Sequence, residues 1–186
     1  MKVVAISGVS GCGKTSVVKL LSQRLSCPYL LFDEHTDDDT YPVDMKKWLQ
    51  QGANVSAIKT PRMQDALEQL TATSDAPYVF VEEPFGRCRP PMSSLVDFVV
   101  LLDMPMEVCL SRMIMRNLNH PSSDSLTSIP RYLSMYDDYF REIYIKATDQ
   151  VREASDLIIT EIQNIENTAD MIGNWLKHIA QYQPSI

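Results

Sequence analysis

The sequence predicts an α/β fold in three layers, with a five-stranded parallel sheet flanked by helices. Three observations carry this expectation. Short apolar runs alternate with helical stretches long enough for crossovers, the pattern of a parallel sheet. A glycine-rich loop joins the first run to the first helix, and two later runs end in carboxylates.

Lys2 to Ser7 reads as a buried strand, and Lys14 to Leu25 as a helix with Val17, Val18, Leu21 and Leu25 at helical spacing. Tyr29 to Phe32 is a second strand that ends in Asp33, and Tyr78 to Val81 a third that ends in Glu82 and Glu83. Asp97 to Leu102 and Ala154 to Ile159 complete the sheet. Pro42, Pro61, Pro105 and Pro130 mark helix starts, because the missing amide hydrogen costs nothing in a first turn. Asn119 to Ser128 and Phe85 to Ser94 have loop composition. Ile165 to Tyr182 is amphipathic, with Ile165, Ala169, Ile172, Leu176 and Ile179 on one face, and is expected to cover the sheet.

A length of 186 residues suits one domain, residues 1–186, built on one substantial core. With 45% apolar and 22% charged residues, the disordered and membrane classes do not fit. No stretch nears the roughly twenty apolar residues of a membrane span, and no leader precedes the first strand. The net charge of −7 argues against nucleic acid and acidic membranes as partners, since counterion release needs clustered Lys and Arg. A small-molecule partner is expected instead, with cations concentrated at its site. Cys12, Cys27, Cys88 and Cys109 lack metal or disulfide spacing, which fits a reducing cytoplasm. A homo-oligomer is compatible with these features and not required by them.

Gly8-Val9-Ser10-Gly11-Cys12-Gly13-Lys14-Thr15 satisfies G-x-x-x-x-G-K-[ST] in the context that gives the motif its meaning, after a strand and opening a helix. Glycines let the backbone curl with its amides inward around phosphate oxygens, and the helix start adds a positive dipole end. The fold is therefore expected to be a P-loop NTPase fold. Gly8, Ser10, Gly11, Cys12, Gly13, Lys14, Thr15 and Ser16 form the candidate nucleotide-binding set, with ATP and magnesium as cofactors. Lys14 is expected to bridge the β- and γ-phosphates, and the Thr15 hydroxyl to ligate Mg2+. Cys12 reads as a small spacer rather than a reactive thiol.

A guanine-reading N-K-x-D is missing; its nearest imitation, Asn167-Thr168-Ala169-Asp170, lacks the lysine and falls inside the last helix. A small-molecule kinase needs three further things: a carboxylate at the acceptor hydroxyl, another at the metal, and arginines on the transferring group. In an open parallel sheet the carboxyl ends of the strands face the ligand crevice, which places Asp33 and Glu82 beside the phosphate loop. Asp33 is the candidate for activating the acceptor. Glu82 is the candidate for orienting the metal; its neighbour Glu83 faces the other side of the strand, and the sequence leaves open which of the two serves. Arg112 and Arg116, four apart, share a helix face. Arg87 and Arg89, read as a loop at the carboxyl end of the sheet, either clamp an acidic acceptor or face solvent. His35 to Tyr41 reads as a solvated turn, with a second metal site as the alternative. Tyr41 and Trp48 are candidates for ring stacking, against core packing for Trp48.

Asp103-Met-Pro-Met-Glu-Val-Cys-Leu-Ser-Arg112-Met-Ile-Met-Arg116-Asn117 resembles the lid helix of uridine kinases, roughly D-x-x-x-x-x-R-L-x-R-R-I-x-R-D. Tyr136 to Tyr139, followed by Ala154 to Ile159, is similar to the same family's Q-Y-x-x-x-V segment and its A-D-I-I-I strand. The resemblance implies a helical lid at about residues 105–130, an ATP-dependent nucleoside kinase, Asp33 as base, Glu82 as strand-three acid, and Arg112 and Arg116 as lid arginines. Cys109, Met113 and Asn117 replace charged residues of the family lid. Tyr41 to Trp48 stands where the family's N-F-D-H-P pattern would lie.

The leading expectation is transfer of the γ-phosphoryl group of ATP to a nucleoside hydroxyl, uridine or cytidine foremost. The alternatives are a kinase for a nucleoside monophosphate, sugar or vitamin precursor, and a nucleotide-binding sensor without turnover.

Overall fold

The computed structural model describes residues 1–119 and 125–182. Five strands, β1 (Lys2–Ser7), β2 (Tyr29–Leu30), β3 (Tyr78–Glu82), β4 (Phe98–Leu102) and β5 (Leu157–Ile159), form one parallel sheet in the order β2-β3-β1-β4-β5. The described helices are α1 (Lys14–Leu25), α2 (Met45–Gln50), α3 (Pro61–Thr73), α4 (Pro90–Ser93), α5 (Met106–Asn119), α6 (Ser125–Met135), α7 (Arg141–Glu153) and α8 (Ile165–Tyr182). In register, Ile6 lies opposite Glu82 and Val100, and Leu102 opposite Ile159. One edge of the sheet therefore collects every strand's carboxyl end, the edge where such sheets bind ligands.

The strands read as continuous apolar runs because both faces are covered. Val4, Ile6, Phe80, Val100 and Leu102 pack with Val17, Val18 and Leu21 of α1 and with Ala169, Ile172 and Leu176 of α8. Their alternating neighbours Val3, Ala5, Val79, Val81, Val99 and Leu101 pack with Met63 and Leu67 of α3 and Ile143 and Val151 of α7. Full burial of each such aliphatic side chain is worth about 2 kcal/mol, so the two faces hold strands too short to persist alone. The expected α1 and α8 spans and the apolar face of α8 are those observed.

Several boundaries differ from the sequence reading. β2 stops at Leu30; Phe32–His35 is a 3-10 turn, because Phe32 turns inward and packs edge-on against Phe85 at 5.7 Å instead of extending the sheet edge. β4 begins at Phe98, one residue late, since the Asp97 side chain accepts a 2.8 Å bond from the Val3 amide. β5 begins at Leu157, where Asp156 accepts from the Val99 amide at 2.7 Å. Pro42 does not open a helix: α2 starts at Met45, capped by Asp44, which accepts from the Lys47 amide. Pro130 lies inside α6, at the expense of one helical hydrogen bond, so Ser125 to Ser128 is helix rather than loop. Residues 120–124, with His120, lie outside the described residues. Pro61 is the first residue of α3, and the Pro105 carbonyl accepts the amides of Val108 and Cys109 at the start of α5, as expected.

Candidate active site

The loop between β1 and α1 is shaped by backbone conformation. Gly11 has φ 88°, and a Cβ there would lie 2.1 Å from the Cys109 carbonyl oxygen of α5. At Gly8, φ is 131° and a Cβ would meet the Leu102 carbonyl at 2.7 Å. No larger residue fits either place. Gly13 is the N-cap of α1 with no capping side chain, and no acid stands in the first turn, so the helix presents its amides and positive dipole end unblocked. Cys12 is the one residue of the expected nucleotide set that does not line the cavity; it is buried, and burial pushes its thiol pKa up. That agrees with a spacer.

Three charged or polar groups converge at the carboxyl ends of β1 and β3. The Thr15 hydroxyl donates to Glu82 Oε2 at 2.8 Å. Lys14 Nζ donates to the Val9 carbonyl at 3.1 Å and lies 3.8 Å from Glu82 Oε1. Both Lys14 and Glu82 are buried. Glu83 faces the opposite way, accepting from Arg89 through both carboxylate oxygens and from the Phe85 amide. Of the two glutamates, Glu82 faces the phosphate loop and Glu83 faces Arg89, as alternation along the strand requires.

From α5, Arg112 reaches the Cys12 carbonyl at 3.5 Å, and Arg116, one turn on, lines the same cavity. Their shared face, read from spacing, is the face toward the phosphate loop. Neither Arg87 nor Arg89 joins them. Arg87 pairs with Asp156 and donates to the Val96, Asp97 and Ala154 carbonyls, which places it at the amino ends of β4 and β5, opposite the expected end. Arg89 is fully buried against Glu83. A clamp on an acidic ligand by either is thus corrected: charge pairing inside the fold uses both.

The cavity, about 800 Å³, runs from the phosphate loop past Glu82 to Asp33, which stands exposed on the turn after β2. Beyond Asp33 its walls turn aromatic and apolar: Phe32, Tyr41, Pro42, Met45, Trp48, Ile58, Phe85, Phe140, Ile143 and Tyr144. Trp48 packs in the core, as its helical context suggested, and donates its Nε1 to the Asn54 carbonyl at 3.0 Å, yet its ring also borders the cavity. Tyr41 is 42% exposed and lies edge-on to Phe32 at 6.4 Å; partial burial and the negative charge of the Asp33, Glu83 and Glu82 carboxylates push its pKa to about 12. In the turn before it, Asp37 Oδ1 accepts from the Asp39 amide and the Thr40 hydroxyl, the hydrogen bonds of a turn.

The contribution of α7 was not foreseen. Phe140, Ile143, Tyr144, Ala147 and Thr148 form a cavity wall, and the π-helical turn Tyr136–Phe140 leads into it. Such turns recur at functional sites. Phe140 and Tyr144 stack with an interplanar angle of 10°, and the Tyr144 hydroxyl lies 3.0 Å from that of Tyr132. The signal was present in sequence as aromatics recurring every fourth position, at Tyr132, Tyr136, Phe140 and Tyr144.

No family model matches the chain. A uridine kinase from Schizosaccharomyces pombe is 23% identical over 210 residues, covering 98% of this chain and 45% of that protein, so the chain spans less than half of the relative's length. A shikimate kinase from Acinetobacter baumannii, solved in complex with shikimate, superimposes with a TM-score of 0.54 at 20% identity, covering 100% of this chain and 96% of that one. A deoxyadenosine kinase from M. mycoides, solved with dCMP and dCDP, gives 0.52 at 14% identity, covering 95% and 99%. The chain has a P-loop NTPase fold. The likenesses support a divergent P-loop protein that resembles nucleoside and nucleotide kinases. Among the described residues, no helix is long and apolar enough to cross a membrane.

Proposed function

We propose that this chain is a kinase that moves the γ-phosphoryl group of ATP to a hydroxyl of an uncharged nucleoside, with uridine and cytidine favoured. The observation that carries the reading is the single cavity that joins the phosphate loop, Glu82 and Asp33 to an aromatic slot. Donor groups stand at one end and a ring-sized apolar recess at the other.

In this reading the amides of Gly8 to Thr15 cradle the phosphates, and Lys14 leaves the Val9 carbonyl to neutralise charge at the β,γ-bridge. The Thr15–Glu82 oxygen pair is a hard donor set that suits magnesium, which takes one or two protein oxygens and fills its shell with phosphate and water. The ion would screen phosphate charge. Asp33 accepts the acceptor's hydroxyl proton as that oxygen bonds to the γ-phosphorus, while the bond to the departing ADP oxygen breaks. Arg112 and Arg116 steady the transferring group, and α5 and α6 act as the lid.

Charge favours a neutral acceptor. Among the described residues, the cations lining the cavity are Lys14, Arg112 and Arg116, all on the phosphate loop or α5, and none of them lines the slot beyond Asp33. A nucleoside monophosphate, a sugar phosphate or a carboxylate acceptor would carry its charge into an apolar wall unpaired. Uridine is favoured by the 23% identity to a uridine kinase together with aromatic walls suited to a planar ring. The test is ADP release with ATP and Mg2+ across nucleosides, nucleoside monophosphates, sugars and shikimate. Turnover with uridine or cytidine supports the reading, and turnover only with charged acceptors refutes the neutral-acceptor claim. Silence across the panel with intact ATP binding favours a sensor.

A further inference from the structure

We propose that Arg89 is a positioning residue for phosphoryl transfer, setting Asp33 and Glu82 against one another and fixing the walls of the acceptor slot; the inference rests on the kinase reading above. Arg89 is 0% exposed, a rare place for a guanidinium, and its partners are Glu83, the chain neighbour of Glu82, and residues that line the cavity. Its Nε donates to Glu83 Oε1 at 3.0 Å and one terminal nitrogen to Glu83 Oε2. The other donates to the Ile58 carbonyl at 3.3 Å. Its guanidinium carbon also lies 5.5 Å from the Phe32 ring and 5.9 Å from the Phe85 ring.

The partners explain why this matters. Glu83 directly follows Glu82, and Phe32 directly precedes Asp33. Phe32, Phe85 and Ile58 are themselves cavity walls. Arg89 thus ties the end of β3 to the turn after β2, two segments whose spacing sets the distance between the metal-side and acceptor-side carboxylates. β2 contributes only two residues to the sheet, so backbone pairing alone holds that turn weakly. Burial pushes the Glu83 carboxyl upward while Arg89 holds it down. A buried ion pair is seldom the most stable filling for such a space; apolar residues of similar volume do as well or better. Geometry at the carboxylates is what the guanidinium adds, since it alone can bond in three directions and stack on two rings.

Two variants test this, with kcat, acceptor KM and ATP affinity measured separately. Arg89→Lys keeps the charge and loses the planar fork; kcat is expected to fall at least about tenfold and acceptor KM to rise several-fold, with ATP affinity within about twofold. Because removal of one buried partner risks the fold, the second variant is the neutral pair Glu83→Gln with Arg89→Met, expected to melt close to the parent and still to turn over slowly. Parental kcat and acceptor KM in that well-folded double variant would overturn the proposal, since a merely structural role is met by apolar filling. If the parent itself is silent with every acceptor, the kinase reading falls by itself. The positioning claim is then decided by a crystal structure of the double variant: displaced Phe32, Asp33 and Phe85 sustain it, and unmoved ones overturn it.

Discussion

The Thr15 hydroxyl donates to Glu82 at 2.8 Å, a bond between residues 67 apart in sequence that fixes which of two adjacent glutamates belongs to the phosphate loop. Glu83, one residue on, is turned to Arg89 and removed from the site. Alternation along β3 makes that division unavoidable.

Glu82→Gln is therefore expected to raise the magnesium concentration needed for half-maximal turnover and to lower kcat by on the order of a hundredfold. A titration of rate against Mg2+ checks it. An unchanged magnesium requirement would remove Glu82 from the metal shell.

Lys14→Ala removes a charge that the cavity does not replace near the β,γ-bridge. Loss of roughly 3 kcal/mol of transition-state stabilisation is expected, a drop in kcat/KM of about a hundredfold or more. Near-parental turnover would sink the donor-site assignment.

On the proposed reading, Asp33→Asn touches the acceptor side alone. Turnover should fall strongly, with ATP affinity measured by calorimetry nearly unchanged. Equal loss of ATP binding would show that Asp33 serves the donor instead.

Stability should decline at alkaline pH. Burial pushes the Cys109 thiol from 9.0 to about 12, and the Tyr41 phenol rises to about 12 as well. Both pKa values are raised on folding, so the neutral forms favour the folded state. Their contribution is complete below the unfolded values and is lost as pH rises from about 9 toward about 12. Melting temperatures across that range check it, and Cys109→Ala should flatten the decline. A flat profile in the parent would contradict the assigned burial effects.

The sheet, the phosphate loop, α1 and α8 were legible because local signals agreed with tertiary ones: apolar runs buried on both faces, and a glycine pattern that only a tight loop uses. Asp33, Glu82, Arg112 and Arg116 were placed by topology and helical spacing. What sequence could not show was where long side chains go. Arg87 and Arg89 sit in one short loop, yet one reaches the amino ends of β4 and β5 and the other the core beneath the aromatic wall of the cavity. The α7 wall is marked in sequence only by aromatics at every fourth position, a spacing that fits core packing as well as a cavity wall, and nothing in it shows the π-turn that leads into the helix. Pro130 misled for a related reason: tertiary context lets α6 carry a proline that an isolated helix would avoid.

Transfer of a radiolabelled γ-phosphoryl group from ATP to uridine, run beside the Lys14→Ala variant, tests the central claim most directly. The account predicts labelled uridine monophosphate from the parent, dependent on Mg2+ and nearly abolished in the variant. Tight ATP binding with no labelled product from uridine, cytidine or any other acceptor would contradict it.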